Sequence, residues 1–323
     1  MSILTAAGCN LISYPRFESN GVKKLSEDHK RKLQAGKKFS GEMSKSSAAK
    51  IRRYINIWLD NITCHNLLRM ERSLPADRRM IMLTLTLSGD TKMNDTLVKR
   101  YLLNTFLTKL KLIKRDFLYI WKAERQDNGR IHFHILADSY FPKDKVSDLW
   151  NQTQMTYKII PTTDLPTARK LYPSTKIEAI RSVDKGLDYM VKYICKNESK
   201  QGIDGRVWGC SQSFTTLKRL TVDDRGALLA RLIDSPEVRL IWKSPDIDVK
   251  IYNMGPTFNR LEWVNHVNEL GLINLKAVSD NYNNALKIES AVNIVDVVCN
   301  NFVEGASLGE FNIPGDVVRE LLI

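Results

Sequence analysis

Apolar and polar positions alternate with period two over residues 80–88, MIMLTLTLS. Ile81, Leu83, Leu85 and Leu87 fall on one side, and Met80, Met82, Thr84, Thr86 and Ser88 on the other. This alternation predicts a half-buried strand. A longer period governs Ser44 to Leu68, where Ile51, Ile55, Trp58, Leu59 and Ile62 recur at three-and-four spacing, an amphipathic helix with a basic outer face. Thr96 to Leu112 reads as a second helix with Asn94 or Asp95 as its N-cap, and Phe117–Gln126 and Arg130–Ala137 as two strands around Asp127-Asn128-Gly129. Pro142 to Thr153 is expected to be a helix, the stretch through Pro161, Pro166 and Pro173 a long loop, and Lys176 to Ser182 a strand. Asp184 then caps a helix running to about Asn197. Hairpins in place of repeated strand-helix-strand crossovers predict an α+β fold, with a central antiparallel β-sheet flanked by helices.

A length of 323 residues, 43% hydrophobic and 26% charged, suits about two domains and excludes a disordered or low-complexity chain. The expected division is a basic N-terminal arm and helix over 1–79, a catalytic unit over 80–219 that Val207–Phe214 closes, and an acidic accessory region over 220–323. Charge sharpens this division. Residues 201–323 hold 12 Lys and Arg against 16 Asp and Glu, net −4, so residues 1–200 carry the other 37 against 20, net +17. Such an excess favours a polyanionic partner for the N-terminal two thirds, most simply nucleic acid; a solvated basic face is the plainer alternative. The five cysteines are odd in number, scattered and without a Cys-x-x-Cys pair, which reads as a reducing compartment. No apolar run approaches a bilayer's width, so no membrane association and a cytoplasmic location are expected.

Candidate chemistry begins at Glu124-Arg-Gln-Asp-Asn-Gly-Arg-Ile-His132-Phe-His134. On a strand His132 and His134 project from one face, ~7 Å apart along the chain, and can converge on one cation. Whether Glu124 joins them depends on the turn. A two-residue Asn128-Gly129 turn sets Arg125 opposite His132, whereas a three-residue loop with Gly129 left-handed sets Glu124 there. The longer loop also pairs Trp121 with Ile135, Ala123 with Phe133 and Arg125 with Ile131. It thereby gathers Lys122, Glu124, Gln126, His132 and His134 on the opposite side. That segregation selects the three-residue register. Two imidazoles and a carboxylate leave coordination positions open; imidazole suits several transition metals, and phosphate substrates favour Mg²⁺ or Mn²⁺. The alternative is a pair of surface histidines.

The second constellation is DYMVKYICKN, residues 188–197. Tyr189 and Tyr193 are neighbours on one helical face, each followed three residues later by a lysine, Lys192 and Lys196. A phenol of ordinary pKa near 10 is a poor nucleophile until cationic groups and a metal-bound phosphate assist it. Two packing aromatics on an amphipathic helix are the alternative, yet Leu187, Met190, Val191, Ile194 and Cys195 already supply an apolar stripe.

Together, the MLTLTL strand, the Glu124-to-His134 hairpin and the YMVKYICKN helix resemble the three motifs of HUH endonucleases. They are most similar to the two-tyrosine replication initiators of single-stranded DNA bacteriophages and related plasmids. The resemblance covers about residues 80–215, with Gln126 standing where some relatives carry a histidine; Arg206-Val-Trp208-Gly209-Cys-Ser211 also resembles the segment after the tyrosine helix in phage relatives. It implies a rolling-circle nickase and strand transferase. His132, His134 and Glu124 would hold a divalent metal, with Gln126 in support. Tyr189 or Tyr193 would attack to leave a 5′-phosphotyrosine and a free 3′-OH, assisted by Lys192 and Lys196. Thr84, Thr86, Lys122 and Arg130 are the expected DNA contacts. The partner would be single-stranded origin DNA in a bacterial host cytoplasm. Because no G-x-x-x-x-G-K-[ST] motif occurs, a host helicase and polymerase are expected to supply unwinding and synthesis. A transposase or relaxase of the same chemistry, a non-catalytic single-strand binder and an iron oxygenase are the rival readings.

Overall fold

The computed structural model describes residues 2–7, 10–15, 41–180, 194, 202–224, 238–243, 250–254 and 260–291. Its chain forms two five-stranded antiparallel sheets with helices packed against them, an α+β fold. One sheet joins β1 (Ser2–Ala7) and β2 (Asn10–Pro15) to β8 (Val222–Asp224), β9 (Arg239–Lys243) and β10 (Lys250–Asn253), in the order β8-β1-β2-β10-β9. The other comprises β3 (Ile81–Thr86), β4 (Tyr119–Arg125), β5 (Ile131–Ala137), β6 (Thr175–Ala179) and β7 (Trp208–Cys210), in the order β6-β3-β5-β4-β7.

Alternation along β3 and β5 gives the second sheet two unlike faces. Leu83, Leu85, Phe133 and Ile135 are fully buried on one of them; each such side chain contributes about 1.5–3 kcal/mol when removed from water. This face is covered by α3 (Asn104–Ile113) and α4 (Lys143–Thr156). The Trp150 ring meets Phe106 and Phe133 edge-on at 5.7 and 6.4 Å, and its indole N–H donates to the Thr86 carbonyl at 2.8 Å. Over the far end of the opposite face lies α1 (Lys45–Glu71), capped by Ser44, whose hydroxyl accepts from the Ser47 amide at 3.1 Å. Trp58 of α1 donates to the Asp138 carboxylate at 3.0 Å, and Lys50 stands 5.8 Å from the Trp208 ring.

Residues near the end of the chain complete this core. Helices α6 (Arg260–Glu269) and α7 (Leu275–Ala291) pack on α1, and Tyr282, Ala285 and Leu286 join the apolar cluster around the sheet. Tyr282 donates to buried Asp138 at 2.5 Å. Burial pushes the Asp138 carboxyl up, against the hydrogen bond of Tyr282, the Arg78 charge and the bonds of Leu118 and Trp58. Glu289 bonds Lys111 at 2.6 Å and the Ser213 hydroxyl at 3.1 Å, and Arg260 pairs with Asp60; these four charged groups are all buried. Polar groups taken out of water need such partners, which is why each is matched.

Three local expectations change. The segment through Pro166 is not a plain loop: α5 (Leu165–Leu171) forms there, with Asp164 accepting from the Thr167 amide at 2.9 Å and Pro166 in the first turn. An Asp two residues before a proline starts a helix, because proline's missing N–H costs nothing at that position. The helix expected over Thr96–Leu112 runs through α2 (Asp95–Leu97), a π-helical Val98–Leu103 and α3, with Asn94 as its cap. Residues 2–15, which carried no expected element, supply β1 and β2.

Candidate metal centre

The β4–β5 hairpin adopts the three-residue loop. Gln126 N–H donates to Arg130 C=O, and Gly129 N–H to Gln126 C=O, both at 2.9 Å, with Gly129 at φ +80°. A side chain at that φ would be strained, so glycine sets the loop. Trp121 consequently faces Ile135, Ala123 faces Phe133, Arg125 faces Ile131, and Glu124 faces His132. A second glycine secures the outer strand: a Cβ on Gly209 of β7 would lie 2.7 Å from the Trp121 indole nitrogen.

Glu124, His132 and His134 converge, with ligand atoms all within 4.8 Å of one another. His134 Nε2 lies 2.7 Å from Glu124 Oε1 and 3.1 Å from His132 Nε2, which is 3.9 Å from the same oxygen. Adjacent ligands on an octahedral cation with ~2.1 Å bonds stand ~3.0 Å apart, so two of these gaps match that spacing closely. The donor set of two imidazoles and one carboxylate on rigid strands fits a divalent cation, with positions left for oxygen ligands.

Support comes from neighbouring strands. In β3, Thr84 faces His134 and Thr86 faces His132; their hydroxyls lie 3.3 and 3.0 Å from the respective Nδ1 atoms. A hydroxyl that accepts from Nδ1–H leaves the Nε2 lone pair directed at the cation, which fixes both tautomer and ring orientation. Lys122 holds the second Glu124 oxygen, Oε2, at 3.1 Å. Burial alone would raise the Glu124 carboxyl, but the hydrogen bond and charge interaction with His134 and the Lys122 ammonium outweigh it and bring it to about 2. His132 is lowered to about 4, first by burial and then by the charge of His134, with Glu124 opposing. At neutral pH the carboxylate is ionised and His132 is neutral, the protonation states that a cation requires.

Residues 80–198 match the family model of the replication-associated protein ORF2. No curated protein and no solved structure matches the chain. The replication-associated match opens one residue before β3, takes in Glu124 and both histidines, and runs past the tyrosine segment.

Within the matched region the expected site residues are distributed unevenly. His132, His134, Glu124 and Lys122 meet, whereas the Thr84 and Thr86 hydroxyls, expected to meet DNA, are engaged with the imidazoles. Arg130 lies at the mouth of the hairpin, its guanidinium 3.0 Å from exposed Asp90. Gln126 sits on the turn it closes. Tyr189, Lys192, Tyr193 and Lys196 lie outside the described residues; Ile194 between them is buried in the core. The segment's flanks are described on both sides. Ile180 N–H donates to Met80 C=O at 3.0 Å beside β3, and Gly202 C=O accepts from Arg125 at 3.4 Å beside the hairpin.

Sequence reasoning missed the imidazole-holding role of Thr84 and Thr86. The signal was present in their period-two spacing on the polar side of β3, matching that of the histidines. It also missed Arg125, which binds Asp95 at the N-terminus of α2, while Asp95 accepts from Asp204 N–H at 3.0 Å and so draws the chain after the tyrosine segment toward the hairpin.

Proposed function

We propose that this protein initiates DNA replication by cutting and rejoining single-stranded origin DNA through a tyrosine, as the resemblance to rolling-circle initiators implies. One observation carries the reading: a convergent Glu124, His132 and His134 inside the stretch that matches a replication-associated family. The net +17 of residues 1–200 supports a nucleic-acid partner. The same donor set serves non-haem iron, but the replication-associated match and the basic charge favour phosphate chemistry.

His132, His134 and Glu124 would hold Mg²⁺ or Mn²⁺, and the bound cation would supply Lewis-acid polarisation of the scissile phosphate. Thr84, Thr86 and Lys122 keep those ligands oriented. The phenol oxygen of Tyr189 or Tyr193 attacks phosphorus, the bond to O3′ breaks, and the proton lost by the phenol balances the one gained by the leaving oxygen. A 5′-phosphotyrosine and a 3′-OH result. The phosphodiester count is conserved, so the second tyrosine can cut again while the first strand is rejoined. Lys192 and Lys196 stabilise the phosphate and the leaving oxygen. A host polymerase would extend the 3′-OH and a host helicase would open the duplex, in the cytoplasm. Consistent with that location, no helix among the described residues is long and apolar enough to cross a membrane.

The test is incubation with labelled single-stranded origin DNA and Mn²⁺, followed by a denaturing gel. A protein–DNA adduct that requires the metal, persists in either single Tyr→Phe variant and vanishes in Tyr189→Phe/Tyr193→Phe is the expected result. Unchanged activity in the double variant would rule out tyrosine chemistry.

A further inference from the structure

The rung of the sheet that carries His134 continues to the edge of the sheet on one face. Lys122 of β4 pairs with His134 of β5 on one side and with Trp208 of β7 on the other. Directly opposed residues of antiparallel strands share a face, so Trp208 stands beside the metal centre's own face, two strands and ~10 Å from His134. Beyond it comes α1. Lys50 bridges two rings there, 5.8 Å from Trp208 and 5.4 Å from Tyr54. Lys50 is exposed and Trp208 only half-buried. Over Lys45–Leu59 the helix carries Lys45, Lys50, Arg52 and Arg53, all exposed, and no acidic residue. An aromatic face beside a cationic helix, in line with a phosphate-handling centre, matches what single-stranded nucleic acid requires: a π-surface for the base and ammonium groups for the backbone.

We propose that Trp208 and Lys50 form a stacking subsite for single-stranded DNA, in which a base next to the cut phosphate lies on the Trp208 indole while Lys50 moves to the backbone. This inference rests on the initiator reading and names a site that reading leaves open. The base is recognised by its π-face, so any base fits. The basic face of α1 carries the strand onward from the centre, because a polyanion gains most where counterions are released along a run of cations.

The experiment uses the full chain and two probes, an oligothymidylate of about 20 nucleotides and an abasic oligomer with the same phosphates. Trp208→Leu should weaken oligothymidylate binding about 5- to 150-fold and leave abasic binding within about twofold. Trp208→Phe, which keeps a ring, should bind oligothymidylate nearly as the parent does. Lys50→Met should weaken both probes alike. Irradiating oligothymidylate that carries iododeoxyuridine should cross-link it to the peptide containing Trp208 in the unaltered protein, a readout independent of any variant's folding. Equal losses on both probes for Trp208→Leu, or a cross-link elsewhere, overturn the subsite. If the protein forms its covalent adduct while Trp208→Leu binds oligothymidylate as the parent does, only the subsite falls; if neither probe binds the unaltered protein, the initiator reading falls too.

Discussion

Acidification tests whether the metal centre is built as described, through His132. An unfolded imidazole takes its proton near pH 6.5; folded His132 takes it only near 4, because burial and the charge of His134 oppose it more than Glu124 favours it. Above pH 6.5 neither state binds that proton and stability is unaffected. Between 6.5 and 4 the unfolded chain binds it preferentially, so stability falls as pH falls, and below about 4 the loss is complete. Two and a half pH units correspond to about 3 kcal/mol, of which about 2 kcal/mol is lost by pH 5. Glu124 acts lower: held at about 2 against an ordinary 4.5, its contribution is full above pH 4.5 and disappears toward pH 2. Buried Asp60, raised to about 6 by burial against Arg260, works in the opposite sense, since the folded state gains its proton first. The quantity to measure is therefore the difference between the parent and His132→Asn, by urea unfolding with chelator from about pH 7.5 to about 5. The parent should lose about 2 kcal/mol more than the variant across that range. Parallel curves would refute the claim that His132 is held neutral by its setting.

Two further outcomes rest on particular contacts. Thr86→Val removes the hydroxyl 3.0 Å from His132 Nδ1 with little change of shape; Mn²⁺ affinity measured by titration calorimetry should drop about 10- to 100-fold, with thermal unfolding almost unchanged. Arg260→Met leaves buried Asp60 without its cation, and should cost about 3–5 kcal/mol in chemical unfolding. Adding Asp60→Asn to it should recover part of that loss.

Much of the centre was legible because its determinants are short-range. The alternation of β3, the Asn94 cap and the three-residue turn each depend on a few consecutive residues, and the hairpin register came from keeping Phe133 and Ile135 apart from His132 and His134. Less could be read where the partner is remote in sequence. Thr84 and Thr86 were visible as a polar face, but which neighbour takes their hydroxyls depends on β3 pairing with β5. Trp208 was visible as part of a motif, but not as the residue facing Lys122. The helix at Leu165–Leu171 was obscured by reading three prolines as breakers, when one of them opens a helix.

The amino-acid order by itself determined the local pieces of this protein: an alternating strand, a hairpin that turns two imidazoles and one carboxylate to the same side, and a positive charge confined to the first 200 residues. Tertiary structure alone decided that strands near the start share a sheet with those from 222 onward, and that Tyr282 reaches Asp138 behind the metal face. It also set a β3 hydroxyl against each imidazole. The reason is physical. Periodicity and turn chemistry act over a few residues, whereas pairings between distant segments are selected by how much apolar surface and how many buried polar groups the whole chain can satisfy at once.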